Sequence, residues 1–521
     1  MLELIKQAKI GTIVPVYKEI NEEIDALEYF GKVSDYGNKK NSMLFENNGT
    51  TFGSANPCLM VTGKGDDFEI TALSNSGKKF LNFIKKDFKF CDKAVYKKDK
   101  ITGKLTPART SVPEQQKLRQ KNHMDIIRAI AFAFKPTTKP FLPYCGLFGM
   151  VSYDFANQIE DLPENKEDII NDPDYVFYFL DNMFIANHKT KKTYFVANAL
   201  ITDNNREKTY QECNKTINNY EKLISSKLPK VKTYKKRELK LSYDLNKDEF
   251  LESMNSLRRN ILDGDILYAS PSRLATSNYN AEPLDIYAQL KNIKDGHMFY
   301  VNDGNGAIIG SGVKAILNVE GKDEKTVELR IATSAEPRGI NKEGIEKDLD
   351  NKYEALLKVN ESEIAYNIML ADAVRDDVAK ISETGTRHVD KLFAVNKHPA
   401  GQNITLSVKG ILNKDLDALH AYISTINPAV VSGITKVKSM QLLRKIEKTK
   451  RCFSSGSMVY VTPEKELHSM TVEPLRIKKD KAFVRTTARV FHNSNDEQEF
   501  SVADEKTLKL LDAIKSAGGL K

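Results

Sequence analysis

Cysteine is scarce in this chain: five in 521 residues (Cys58, Cys91, Cys145, Cys213 and Cys452), with no CxxC pair. A scattered, odd-numbered set argues against a disulfide framework and a thiolate zinc site, and it suits a reducing cytoplasm. Long apolar runs are missing too. No stretch approaches the ~20 residues that cross a bilayer, and the opening MLELIKQAKIGT lacks the apolar core of a signal peptide. Basic residues share no helix face with large apolar ones, so a membrane-surface role is not indicated either. The common chemical signatures (GxxxxGK[ST], HExxH, GxSxG, EF-hand spacing) do not occur, and the eight histidines never fall at metal-ligand spacing.

What is present is a large soluble composition, 40% hydrophobic and 29% charged. That combination can bury a core and excludes disorder or low complexity as a description of the whole chain. At ~150 residues per domain the length allows two to four domains. The net charge of +9 is spread over 79 basic and 70 acidic residues. Its densest stretch, KLPKVKTYKKRELK at 227–240, has one aromatic and no recognition motif, so it reads as a solvated linker and not as a nucleic-acid interface. The linker separates residues 1–226, a mostly β region, from residues 241–521.

Residues 176–201 alternate at period two and predict two strands joined by a polar turn at His188 to Lys192. Asn246 with Glu249 predicts a capped helix whose Phe250, Met254, Leu257 and Ile261 repeat at helical spacing until Gly264. Asp303-Gly304-Asn305-Gly306 reads as a hairpin turn. Helical patterns follow at roughly 358–380, 414–425 and 436–448, then strands, then an amphipathic C-terminal helix carrying Leu508, Leu511 and Ile514. Asp372, Arg375, Asp376 and Asp377 form a charged turn expected to pair internally. This irregular alternation implies an α/β (α+β) fold with large sheets.

Several longer strings carry a family resemblance. They are Gly149-Met-Val-Ser-Tyr-Asp-Phe through Pro163, Gly264-Asp-Ile-Leu-Tyr268-Ala-Ser-Pro-Ser-Arg273, Pro337-Arg-Gly339 and Ile368-Met-Leu-Ala-Asp-Ala-Val-Arg-Asp-Asp377. Ile381 to Leu392, Leu416 to Tyr422 and Val431-Ser-Gly-Ile-Thr-Lys436-Val-Lys-Ser-Met440 complete the set. From about residue 140 onward the chain resembles component I of anthranilate synthase and, more broadly, the chorismate-utilising enzymes. The resemblance implies large antiparallel sheets with flanking helices, a cleft for chorismate and Mg²⁺, and a glutamine amidotransferase-like (glutaminase) subunit as partner.

The positions that carry this chemistry in the family are altered here. The resemblance places Tyr366 where the family has a metal-ligating glutamate, and Val502 at the second ligand. Asn403 stands for a histidine and Ser334-Ala-Glu336 for Gly-Thr-Arg. Glu473 replaces a carboxylate-pairing arginine, and Arg489 the last glycine of Gly-Ala-Gly, where a side chain should push into the substrate's space. The Ser-Pro-Glu of the family is replaced around Gly312-Val-Lys314. Lys436 and Tyr460 survive, and with Tyr268 they complete the implied substrate pocket. Glu363 and Glu499 each lie one helical turn before the family's ligands, so a displaced Mg²⁺ site could use them; otherwise they are two solvated carboxylates. Glu473 and Arg489, on neighbouring strand-like runs, are expected to pair, leaving Tyr366 open to a neutral or cationic ligand.

The regulatory segments, Leu44-Phe-Glu-Asn47 and Lys294-Asp-Gly-His-Met298, depart from the family's tryptophan site as well, and the chain contains no tryptophan. Three readings follow. The chain is a divergent small-molecule biosynthetic homologue with lost or altered amination of chorismate, a catalytically silent scaffold or regulatory partner of a glutaminase-like subunit, or a working anthranilate synthase component I of lyase type.

Overall fold

Apolar runs that are buried on both faces set the architecture. A computed structural model describes all residues except 48, 109–111, 138–144, 232–233, 235–237, 294–296, 312–313, 342–343, 399–400 and 519–521. Two twelve-stranded sheets stack face to face, antiparallel throughout except for one short parallel pairing at Thr12–Ile20 with Lys135–Pro136. Each sheet takes six strands from before residue 227 and six from after residue 240. The 227–240 segment therefore divides the sequence and not the sheets.

Strand Tyr175–Leu180 shows how the layers arise. Val176, Tyr178 and Leu180 point into the core between the sheets, while Tyr175, Phe177 and Phe179 pack under helices on the outer face. Strand Asn182–Asn187 does the same in the other sheet, with Met183 and Ile185 inward and Phe184 and Ala186 outward. The outcome is helix, sheet, sheet, helix. The expected two strands at 176–201 are in fact three: the chain changes sheet at Asp181, then turns back from Asn182–Asn187 to Lys192–Ile201. Period-two alternation runs through that crossing without a break, so the pattern alone hides it.

Other local readings hold. Asn246 and Glu249 form a reciprocal capping box on the Lys247–Leu262 helix, and Gly264 follows it at φ +82°. Asp303–Gly306 joins Met298–Asn302 to Ala307–Ser311 as a hairpin. In the C-terminal helix, Asp496–Gly518, Leu511 and Ile514 are buried, but Leu508 is exposed and Leu510 takes its place in the core. Asp372 pairs with Arg375 as expected, at 2.8 Å. Among the described residues no helix is long and apolar enough to cross a membrane.

Candidate functional site

Asn360 caps the Glu361–Ala379 helix by accepting from the N–H groups of Ser362 and Glu363. This fixes Glu363 in the first turn, one turn before Tyr366 on the same stripe. Opposite, Arg489 occupies the short link between strands Lys481–Thr487 and Val490–Phe491. Its guanidinium donates to both Glu363 oxygens, at 2.9 and 3.0 Å. It also donates to Glu499 of the C-terminal helix, from Nη2 to Oε1 at 2.6 Å and from Nε to both oxygens at 3.0 and 3.1 Å. The Arg489 backbone N–H reaches Glu499 Oε2 at 3.2 Å, and the Ser334 hydroxyl donates to Glu363 Oε2. All four carboxylate oxygens thus hold donors from the protein itself.

Beneath the guanidinium lies an aromatic floor. Arg489 Cζ sits 5.0 Å from the Tyr366 ring centre, a cation–π contact. Tyr366 stacks on Phe491 and meets Tyr268 edge-on, each at 5.2 Å between ring centres. Its hydroxyl donates to Tyr268 at 3.4 Å, and Tyr268 donates to the Val430 carbonyl at 3.1 Å. Tyr366 is 1% exposed and burial drives its phenol far above the ordinary range, so it stays neutral. It faces inward beside Glu363, but Arg489 covers the ring face that was expected to be open.

The expected Glu473–Arg489 pair does not form. Glu473 accepts instead from Lys314 Nζ at 2.6 Å and from the Thr487 hydroxyl at 2.9 Å, and Lys314 also donates to Thr487 at 2.6 Å. Lys314 is the cation that the sequence did not assign to Glu473; the preceding Gly312 and Val313 lie outside the described residues. Burial works to raise the Glu473 pKa, and Lys314 and Lys506 hold it below the ordinary carboxylate value. Burial raises Glu363 likewise, but Arg489 and Ser334 bring it down. Glu336, at the end of strand Thr326–Glu336, has no such relief: burial and then Glu363 push it up. Lys506 went unnoticed in the sequence. It stands seven residues after Glu499, two turns along the same helix, and that spacing was the available signal. Much of the residue is exposed, yet its ammonium is drawn down to about 8 by crowding protein atoms and by Lys314.

The remaining predicted positions divide. Asn403, on strand Gly401–Ile411 opposite Ala335, has a buried Oδ1 without a partner among the described residues. Val502 is 43% exposed and turned away, so it takes no part; Glu499, buried at 7%, is the residue that faces the cluster. Glu363 and Glu499 are consequently not solvated carboxylates. Lys436 is not in this pocket. Its ammonium holds Asp377 at 2.9 and 3.1 Å, fourteen residues or roughly 21 Å further along the helix from Glu363. Tyr460 packs against Phe52 and Phe148 between the sheets. At the altered regulatory segment, Glu46 accepts from Lys291 at 2.6 Å and from Tyr287; residues 294–296 lie outside the described residues.

A divalent cation does not fit this arrangement. Mg²⁺ needs anionic oxygens free to approach at ~2.1 Å, and those of Glu363 and Glu499 are already occupied by one guanidinium. Tyr366 offers a neutral phenol in place of a carboxylate. Among the described residues, no three His, Cys, Asp or Glu side chains gather as a metal site.

Comparison with known proteins gives a consistent picture. The family described as chorismate binding enzyme matches residues 22–512. Anthranilate synthase component 1 of Vibrio cholerae serotype O1 is 26% identical over 460 residues, covering 88% of this chain and 86% of that protein. The namesake from Buchnera aphidicola subsp. Acyrthosiphon pisum is 28% identical over 475 residues, 88% of each. The structure of anthranilate synthase component I from Streptococcus pneumoniae superposes with a TM-score of 0.69 at 19% identity, over 89% of this chain and 92% of that one. MenF, the menaquinone-specific isochorismate synthase of Escherichia coli, gives 0.63 at 12% identity over 98% of both.

Proposed function

The chain belongs to the chorismate binding enzymes, and from that premise we propose that it is a divergent homologue of anthranilate synthase component I whose Mg²⁺-dependent amination of chorismate is lost or altered. The observation that carries this is Arg489 bridging Glu363 and Glu499. A guanidinium fixed on two carboxylates supplies one positive charge where a Mg²⁺ ion would supply two, and it has no exchangeable coordination position. It cannot draw a ring carboxylate or a leaving group toward itself without giving up those pairs.

A dianionic substrate would also meet Glu473 and Glu336. Glu473 already holds Lys314, so the pocket offers it little net positive charge. What remains for chemistry is Lys506, whose amine can hold or release a proton near neutral pH. The pocket therefore suits a small-molecule ligand of lower negative charge than chorismate. The designation of the relatives as component 1 supports a second subunit, which we place as a glutamine amidotransferase-like partner. The internal pairing of every carboxylate at the cluster's centre also favours the second reading, a catalytically silent scaffold for that partner.

The test is direct. Purified protein supplied with chorismate, ammonium and Mg²⁺ forms no anthranilate, read by its fluorescence. A rate of anthranilate formation that rises with Mg²⁺ overturns the proposal.

A further inference from the structure

A cavity of about 510 Å³ opens far from this site, between the Arg206–Ile224 helix and the strands Asn182–Asn187 and Lys192–Ile201. Of the residues named above, only Asp181, Asn182 and Cys213 line it, and none of them belongs to the candidate site. Asp181, where the chain passes from one sheet to the other between Tyr175–Leu180 and Asn182–Asn187, lines the cavity. Asn182 Nδ2 donates to the Asp181 carboxyl at 2.9 Å, and Ser76 donates through its hydroxyl. Burial pushes this carboxyl up to about 7, and no cation among the described residues acts against that rise.

The three lysines that line the cavity do not neutralise Asp181. Lys32 is held by Glu28 and by the Ile224 carbonyl, each at 3.0 Å, and Lys39 donates to Asn56. Lys215 is on the exposed side of its helix. Next to Asp181 stands a second, independent anomaly. Asn198 is 4% exposed and lines the same cavity, yet neither its Oδ1 nor its Nδ2 has a partner among the described residues. Buried amides without partners are rare in folded proteins and call for a specific cause. Its neighbour Asn182 shows the usual state: Tyr220 donates to its Oδ1 at 2.7 Å.

We propose that this cavity is a binding site for a small hydrophilic primary amine, with the ligand's ammonium on Asp181 and its hydroxyl or amide groups on Asn198. The uncompensated carboxyl selects against anions. The hydroxyl and amide lining, including Ser74, Thr209, Thr216 and Asn219, selects against apolar ligands. The volume falls in the range of small-molecule sites.

The probes are 2-aminoethanol, 2-amino-1,3-propanediol and glucosamine, set against glycerol and glucose, with the full chain in calorimetric and thermal-shift titrations. The amines bind and raise the melting temperature; the polyols bind at least about tenfold more weakly, in line with loss of the charge pair. Asp181→Asn, which keeps the shape, weakens amine binding by about tenfold or more, and Asn198→Leu weakens the hydroxylated amines. Equal binding of amines and polyols overturns the proposal, as does full amine affinity in Asp181→Asn. So does the failure of every amine to bind below about 10 mM. Should either variant not fold, the contrast between amines and polyols on the unaltered protein still decides.

Discussion

Replacing Arg489 by alanine tests whether this side chain has taken over a cation's place. Both carboxylates lie within about 3 Å of one guanidinium, so removing it leaves two negative charges roughly 6 Å apart; at an effective dielectric of ~20 their repulsion is about 3 kcal/mol. The side chains of Glu363, Glu499 and Arg489 are 17%, 9% and 29% exposed, so solvent screening is incomplete. Breaking a buried pair from one side costs about 3–5 kcal/mol, and we expect a loss in the lower half of that range at pH 7. The sign of the pH dependence follows from Glu363. In the unaltered protein its pKa is depressed, so its stabilising contribution is present above the unfolded carboxylate pKa and is lost as pH falls through the folded value. In Arg489→Ala only the Ser334 hydroxyl is left to oppose burial and the Glu363 pKa rises, so the penalty is greatest at neutral pH and shrinks toward pH 4. Urea unfolding followed by circular dichroism, repeated at pH 7 and pH 4.5, reads this directly. A second readout is specific to the cation reading: the vacated carboxylate pair should take up Mg²⁺ or Mn²⁺, and at a hundredfold excess over Kd this restores about 2.7 kcal/mol. An alanine variant as stable as the parent at pH 7, or a penalty that does not change with pH, refutes the reasoning.

Lys314→Met removes the partner of Glu473, and we expect a loss of about 1–3 kcal/mol at pH 8 that partly recovers toward pH 5, because only Lys506 and the Thr487 hydroxyl then oppose the burial that raises the Glu473 pKa; equal losses at both pH values count against it. Gly433→Ala should be severe, by about 3 kcal/mol or more, since Gly433 has φ +150° and an added Cβ would lie 2.3 Å from the Tyr268 carbonyl; a variant with unchanged melting temperature contradicts this. Cleavage inside 227–240 by a site-specific protease should leave two fragments that co-elute on gel filtration, because both sheets are shared; separate, folded fragments would disprove it.

The sequence made the elements more legible than their partners. The capping box at Asn246 and the hairpin at Asp303–Gly306 depend on neighbours within four residues, so local rules suffice. The sheet change at Asp181 leaves no local mark, because the strands on both sides are buried on both faces. At the candidate site, resemblance identified which positions were altered, and Tyr366, Glu473 and Arg489 are where that reading put them along the chain. Charge alone gave no pairing, because the partners are remote: Glu363 lies 126 residues from Arg489, and Lys314 lies 159 from Glu473. Glu473 and Arg489 were close in sequence and opposite in sign, which made their pairing the natural expectation; the fold put nearer partners beside each.

The interleaved sheets bear on how the chain is made. Strand Gly146–Val151 is buried throughout and pairs on one side with Tyr175–Leu180, on the other with Ser457–Val461. At ~5–20 residues per second of synthesis, roughly 14–55 s separate the emergence of those two partners. During that interval the nascent first half presents an apolar strand edge with no neighbour, the geometry that invites pairing with other chains. Strand Ser42–Glu46 waits in the same way for Met298–Asn302. Productive folding of this protein must therefore be largely post-translational or escorted, and its yield in a cell should depend more on protection of those two edges than on the stability of the finished molecule.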